Sequence, residues 1–337
     1  MALEAFLRVV QTVVGVLGIV GNTTVCVVIY KVQSMHTMTN AFIFNQAVVD
    51  FLASVVFLLS ANIPLPVSYP TGPAGVLICR LWTSTFALWF FLSTSTFNLM
   101  MLTLERYLAI VFPFRYQALF GRVQATLAIV FVWLFGSIVG TYAAFTVINQ
   151  GDKCVDNVVT GSQIFGVLVF TIQFFLPLVI MLVAYTHIAV TLKRSAAKVA
   201  PLPRPRPAGE SAQTRTGPSQ GETQDGSLMK ARRNTFKALL LVFVAYVICW
   251  SPNEIIFFLF NFGWFTAMGG PLHVVSLAFV TANSCVNPVI YALKYRSFQA
   301  GLRQILGRGR RLGESASLGG SSAQPRITLQ TVNTTVN

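Results

Sequence analysis

Apolar residues dominate seven stretches of the chain, roughly residues 7–30, 40–61, 80–108, 123–147, 163–191, 236–260 and 272–293, with few charges inside any of them. A helix needs about 20 apolar residues to cross about 30 Å of hydrocarbon, and each stretch is long enough. The runs are continuous, without the ten-residue alternation that a lipid-facing strand requires. They predict an all-α membrane protein, a seven-transmembrane helix bundle. The first run is too long for the apolar core of a cleaved signal peptide, carries Asn22 within GIVGNTT and lacks a small-residue cleavage site, so it reads as a span. Residues 1–6 are then a short N-terminal segment and residues 7–293 one transmembrane domain.

Polar sequence is confined to the connections. The long one, residues 195–229, contains PLPRPRPAGESAQTRTGPSQG, a composition that cannot bury a core and predicts a disordered loop. After the seventh run, KYRSFQAGLRQIL (294–306) spaces Phe298, Leu302, Ile305 and Leu306 at i, i+4, i+7 and i+8 with basic residues interleaved. That is the pattern of a short amphipathic helix lying on the inner membrane surface. Residues 307–337 read as a disordered tail whose Ser315, Ser317, Ser321, Ser322, Thr328, Thr331, Thr334 and Thr335 are either kinase targets or merely solvated.

Charge sets the orientation. Only 10% of residues are charged and 54% are hydrophobic, against about 25% charged in a soluble domain, so the lipid bilayer is the expected surroundings. Of the 24 Lys and Arg, all but Arg8, Arg80 and Lys153 follow spans one, three, five and seven or sit at their ends. The positive-inside rule then places the C-terminus in the cytoplasm and the N-terminus outside, in a multi-pass plasma-membrane protein. The net charge of +14 reflects topology, because the basic residues flank spans rather than line a folded face, and no nucleic-acid partner is expected. Cys26, Cys249 and Cys285 lie within spans as small apolar residues. Cys79 and Cys154 share the extracellular, oxidising side and predict a disulfide that ties the loop NQGDKCVDN over the mouth of the bundle.

A carboxylate at the bilayer centre costs roughly 3 kcal/mol on insertion scales, yet Asp50, Glu105 and Glu254 fall within or at the ends of spans. Asp50 shares its depth with Asn22, Ser95, Asn283, Ser284 and Asn287, while Asn283, Asn287 and Tyr291 lie on one helix face. Such a cluster can hold a small cation or water, or can serve only to hydrogen-bond the helices together, at about 0.6 to 2 kcal/mol per contact. His36, His187 and His273 are scattered and no Ser/His/Asp or metal-ligand spacing accompanies them, so no enzyme is expected.

Taken in order, GN in span one, NQAVVD in span two, ERY at the end of span three, Trp133 in span four, FFLPLVIMLVAY in span five, CWSP in span six and NPVIY in span seven resemble the rhodopsin-like (class A) G-protein-coupled receptors. The resemblance implies that Glu105, Arg106 and Tyr107 form the G-protein-coupling end. Arg106 would pair with Glu105 when closed and, as span six swings outward, offer its guanidinium to a partner helix, with Tyr185 and Tyr291 reorganising around it. Pro252 beside Trp250, with Pro177 in span five and Pro288 next to Asn287 in span seven, removes a backbone hydrogen bond and makes a hinge. Sodium becomes the expected cation at Asp50, Ser95, Asn283 and Asn287, with no other cofactor. A heterotrimeric G protein, arrestin and a receptor kinase become the expected partners. Cys79 lies 27 residues before Arg106 (106 − 79), about two more than in most members, which a bulge or a shifted helix start would absorb.

Amine receptors of that family carry an aspartate in the upper half of span three, where LWTSTFALWFFLST has no acid, so an amine-type site is not expected. Opsins need a lysine midway along span seven, where LAFVTANSCVNPVIY has none. Glu254, one turn above Trp250 on a wall with Asn253, Trp89, Gln173 and His273, would attract a basic or amide-rich ligand, either a short peptide or a small molecule. The alternative is a structural acid, protonated or bonded to a neighbour. The short N-terminal segment argues against capture of a large glycoprotein by an ectodomain. A seven-helix transporter would show an internal repeat, which is absent, and an ion channel would need a polar file through the spans, whereas the polar cluster stops below Trp250. Many relatives carry an acid near the inner end of span six that pairs with the span-three arginine. Between Asp225 and Glu254 this chain has none, and KARRNTFK supplies Lys230, Arg232, Arg233 and Lys237 instead, so the closed state is expected to be loosely held.

Overall fold

The computed structural model describes residues 2–156, 162–199, 220–264 and 270–317. Among them, seven helices are long and apolar enough to cross a membrane. They are α1 (Ala2–Lys31), α2 (Met38–Asn62), α3 (Phe86–Val111), α4 (Arg122–Phe145), α5, α6 (Gln220–Asn261) and α7 (Pro271–Lys294). α5 runs from Ser162–Phe170 through a π-turn at Thr171–Phe175 into Leu176–Val199. α8 (Arg296–Ser317) follows one residue after α7.

Every apolar run became a helix, and the differences lie at the ends. α1 already begins at Ala2. α5 and α6 continue into the stretch expected as a disordered loop, to Val199 and from Gln220, because Ala, Lys, Glu and Gln extend a helix readily. The remainder of that loop, 200–219, lies outside the described residues, as does the tail after Ser317. α8 is longer than the amphipathic segment that predicted it and buries Phe298. Thr37 starts α2 by accepting the Asn40 backbone N–H at 3.3 Å, and Pro271 occupies the first turn of α7.

The long spacing between Cys79 and Arg106 is absorbed above α3. Residues Ile78–Thr83 form a π-turn, and Thr85 then takes a left-handed conformation at φ 56°. That geometry is uncommon for a β-branched residue. The Ser84 hydroxyl holds it, donating to the Arg80 carbonyl at 2.5 Å and accepting the Phe86 N–H at 3.1 Å. From Phe86 onward α3 is regular, so Ser95 and Arg106 keep their helical relation. Cys79 is disulfide-bonded to Cys154, with Cα atoms 5.7 Å apart. Cys154 lies on β2 (Lys153–Asp156), which pairs antiparallel with β1 (Val147–Gln150) through a turn at Gly151. The hairpin is thereby held against the π-turn that precedes α3, and the Tyr69 N–H donates to the Asp152 carbonyl at 2.8 Å.

Packing is inverted relative to a water-soluble bundle. Phe6, Val20, Leu134, Ile138, Val183 and Ile248 point outward, whereas Asn22, Asn45, Gln46, Asp50, Asn98 and Asn287 are buried. Lipid is as apolar as leucine, so the helices associate by close approach and polar contacts. α4 meets α3 at Gly136 and Gly140; a Cβ on Gly140 would lie 2.6 Å from the Phe90 Cα. α1 meets α2 where Gly15 faces Leu58 and Gly18 faces Ser54.

Candidate functional site

Three polar clusters line the bundle axis. The first closes the end opposite the disulfide. Glu105 is 2% exposed and accepts two hydrogen bonds from Arg106, one of them from Nε at 2.5 Å. The same carboxylate accepts the Tyr116 hydroxyl at 2.5 Å and the Thr39 hydroxyl at 3.3 Å. Tyr116 belongs to the short helix Pro113–Leu119, whose leading proline turns the chain back beneath α3. Burial and the bond to Glu105 push the Tyr116 hydroxyl above the ordinary tyrosine range, so it remains a donor at neutral pH. The expected companions of Arg106 are engaged elsewhere. Tyr107 contacts His187 Nδ1 at 3.1 Å, and Tyr185 donates to the Leu239 carbonyl at 3.1 Å while accepting Thr103 Oγ1 at 3.1 Å. The Tyr291 hydroxyl is buried without a hydrogen-bond partner, its ring 6.3 Å from that of Tyr295.

The second cluster surrounds Asp50, which is wholly buried. Ser95 and Ser284 donate to Oδ1 at 2.8 and 3.1 Å; Asn287 and Gln46 donate to Oδ2 at 2.9 and 3.1 Å. Ser284, rather than Asn283, reaches the carboxylate. The carbonyl oxygens of Asn283 and Asn287 are buried without a donor, an infrequent situation in a folded interior. Asn22 ties α1 to this level through the Ser284 carbonyl at 2.9 Å. Gln46 was not singled out by its sequence position, although an amide one helical turn before Asp50 was visible there.

The third cluster lies toward the disulfide end. Trp250 is 1% exposed, with its ring 5.6 Å from Tyr246, and the Tyr246 hydroxyl donates to the Gln173 carbonyl at 3.5 Å. Glu254 stands one turn above Trp250 and is 3% exposed. Glu254 Oε2, Gln173 Nε2 and Trp250 Nε1 are all buried without hydrogen-bond partners. Asn253 donates to Ser276 Oγ at 3.0 Å, which donates to the His273 carbonyl at 2.8 Å. Trp89 is half-buried and packs on the apolar core. Pro252 and Pro288 lie inside α6 and α7, which run on through them.

Comparison with known proteins agrees with this arrangement. The sequence model of the family described as "7 transmembrane receptor (rhodopsin family)" matches residues 21–291, about four fifths of the chain. The histamine H2 receptor of Rattus norvegicus is 25% identical over 311 residues, covering 90% of this chain and 80% of its own. The neuromedin-U receptor 2 of Homo sapiens is 28% identical over 325 residues, 88% of this chain and 71% of its own. The RYamide receptor of Drosophila melanogaster is 27% identical over 312 residues, 87% of this chain and 61% of its own.

Proposed function

The chain belongs to the rhodopsin family of seven-transmembrane receptors, and from that premise we propose that it binds a cationic extracellular ligand, a small molecule or short basic peptide, near Glu254 and signals through a heterotrimeric G protein at Arg106. The observation that carries this reading is the unpartnered carboxylate oxygen of Glu254, a residue 3% exposed one turn above Trp250. A buried polar atom without a partner leaves its desolvation uncompensated, and a ligand ammonium or guanidinium supplies the missing donor and counter-charge together. The upper part of α3 holds no acid, so the contact to positive charge falls to α6.

The relatives named for histamine, neuromedin-U and RYamide lie at similar distances, which leaves the choice of ligand to the residues themselves. In this reading the N-terminus and the disulfide face outside at the plasma membrane, the basic ends of α5 and α6 face the G protein, and arrestin and a receptor kinase act on the phosphorylatable tail. The test is a screen of cationic small molecules and basic peptides on the expressed receptor, followed by Glu254→Gln. Loss of a charge-assisted hydrogen bond should lower agonist potency roughly 10- to 150-fold at unchanged surface expression. A potency that does not move would make Glu254 a structural acid. Agonist affinity that falls when guanine nucleotide uncouples the G protein supports the signalling half of the proposal.

A further inference from the structure

The hydrogen bonds leading to Asp50 run in one direction, and that direction is fixed at both ends. An indole N–H can only donate, and that of Trp133 donates to Asn45 Oδ1 at 2.9 Å. Asn45 therefore presents its NH2 to Asn98 Oδ1 at 2.8 Å. Asn98 in turn donates to Gln46 Oε1 at 2.7 Å and to the Phe42 carbonyl at 3.0 Å. Gln46 is left with its NH2 facing Asp50 Oδ2 at 3.1 Å and Ser95 Oγ at 2.5 Å. At that end an ionised carboxylate, the form that would hold sodium, can only accept. Turning the Gln46 amide over would set its oxygen against the carboxylate and its NH2 against that of Asn98. Gln46 is 1% exposed and Asn98 is fully buried, so bulk water offers neither amide an alternative partner.

Most of the oxygens around Asp50 suit a small cation: the carboxylate, the hydroxyls of Ser95 and Ser284, and the donor-free side-chain oxygen of Asn287. Hydroxyls can rotate to present lone pairs, and Asn287 has an unused oxygen to turn inward. Gln46 differs from them. Its own oxygen is held by Asn98, and the chain from Trp133 keeps its N–H groups on the carboxylate and on Ser95.

We propose that Gln46 is a tethered competitor for sodium at Asp50. Its amide occupies one carboxylate oxygen and the Ser95 hydroxyl, so sodium binds only by displacing it. The affinity for sodium is then set by the hydrogen-bond chain from Trp133 as well as by Asp50. The proposal rests on the geometry around Asp50 and requires no agonist, so its outcome is separate from that of the ligand reading at Glu254.

The experiment follows thermal unfolding of the purified full chain during sodium chloride titration, with N-methylglucamine chloride holding ionic strength constant. A cation that binds only the folded state stabilises it by RT ln(1 + c/Kd) at sodium concentration c, so the rise of unfolding temperature with sodium yields an apparent Kd, which is the sodium midpoint compared between variants. Gln46→Met keeps length and approximate volume but removes the donor, and Asn98 retains the Phe42 carbonyl. The apparent sodium Kd should fall roughly tenfold or more in this variant. Asp50→Asn should abolish the response in both backgrounds. Trp133→Phe leaves Gln46 in place but frees the amides to turn over, and should move the midpoint in the same direction by less. Equal sodium midpoints in the wild type and Gln46→Met overturn the proposal, as does the absence of any sodium response in Gln46→Met. If Gln46→Met does not fold, an unchanged midpoint in Trp133→Phe overturns it instead.

Discussion

Arg232→Glu tests how the closed state is held. Arg106 is bound by Glu105, and the Glu105 carboxylate is steadied by Tyr116 and Thr39. Among the described residues no acid of α6 pairs with Arg106, whose side chain is 19% exposed. The start of the membrane-crossing part of α6 presents Arg233 and Lys237, both exposed, and Arg232 precedes them on the same helix. These cations cannot bridge to Arg106, and their repulsion is screened over about 8 Å at physiological ionic strength. An acid at residue 232 would add an ion pair of the partly exposed kind, worth about 0 to 1 kcal/mol, or up to roughly fivefold in the ratio of open to closed receptor. We therefore expect measurable ligand-free signalling in the wild type, and Arg232→Glu should lower it by up to roughly fivefold. Nucleotide exchange on membranes at matched surface expression is the assay. Arg232→Ala, which removes a cation without adding an acid, should fall between the two. Basal exchange equal to that of untransfected membranes, with no effect of Arg232→Glu, would refute the reasoning and leave Glu105 as a sufficient partner.

Two further substitutions probe the frame around these sites. Tyr116→Phe should cost about 1 kcal/mol of stability. Because the folded-state hydroxyl is raised above the ordinary value of about 10, this contribution is complete below that pH and is lost as pH rises through the raised value. The difference in unfolding temperature between wild type and Tyr116→Phe should thus be flat from about pH 6 to about pH 9, and a slope across that window would contradict the assignment. Gly140→Val places a branched side chain where a Cβ alone would lie 2.6 Å from the Phe90 backbone. It should destabilise the α3–α4 contact by about 1 to 3 kcal/mol, seen as reduced surface expression and a lower unfolding temperature.

The spans were legible because an apolar run of membrane length admits few other structures. Their ends were not, because helix extension beyond the hydrocarbon depends on local propensity rather than on the apolar run, as where α5 continues to Val199. Neighbours in the sequence gave the Glu105–Arg106 pair directly, whereas Tyr116 became visible only once the chain turned at Pro113. Asp50 announced itself by being an acid in mid-span. Gln46 did not, since the side of an amide that faces a carboxylate is decided by Asn98 and Trp133, far away in the sequence. Asn253, expected on the ligand wall, donates its amide N–H to Ser276, a pairing that no pattern within α6 reveals.

The π-turn at Ile78–Thr83 and the left-handed Thr85 also bear on how chain length can vary in such a bundle. Two extra residues inside a continuous α-helix would advance its phase by about 200°, carrying every side chain above them to the opposite face. Here the surplus is taken up in a short irregular collar, so the cystine and α3 keep independent rotational settings. Positions between Phe86 and Arg106 are therefore to be counted upward from the arginine, and a count downward from Cys79 would assign Trp89 and its neighbours to the wrong side of the helix.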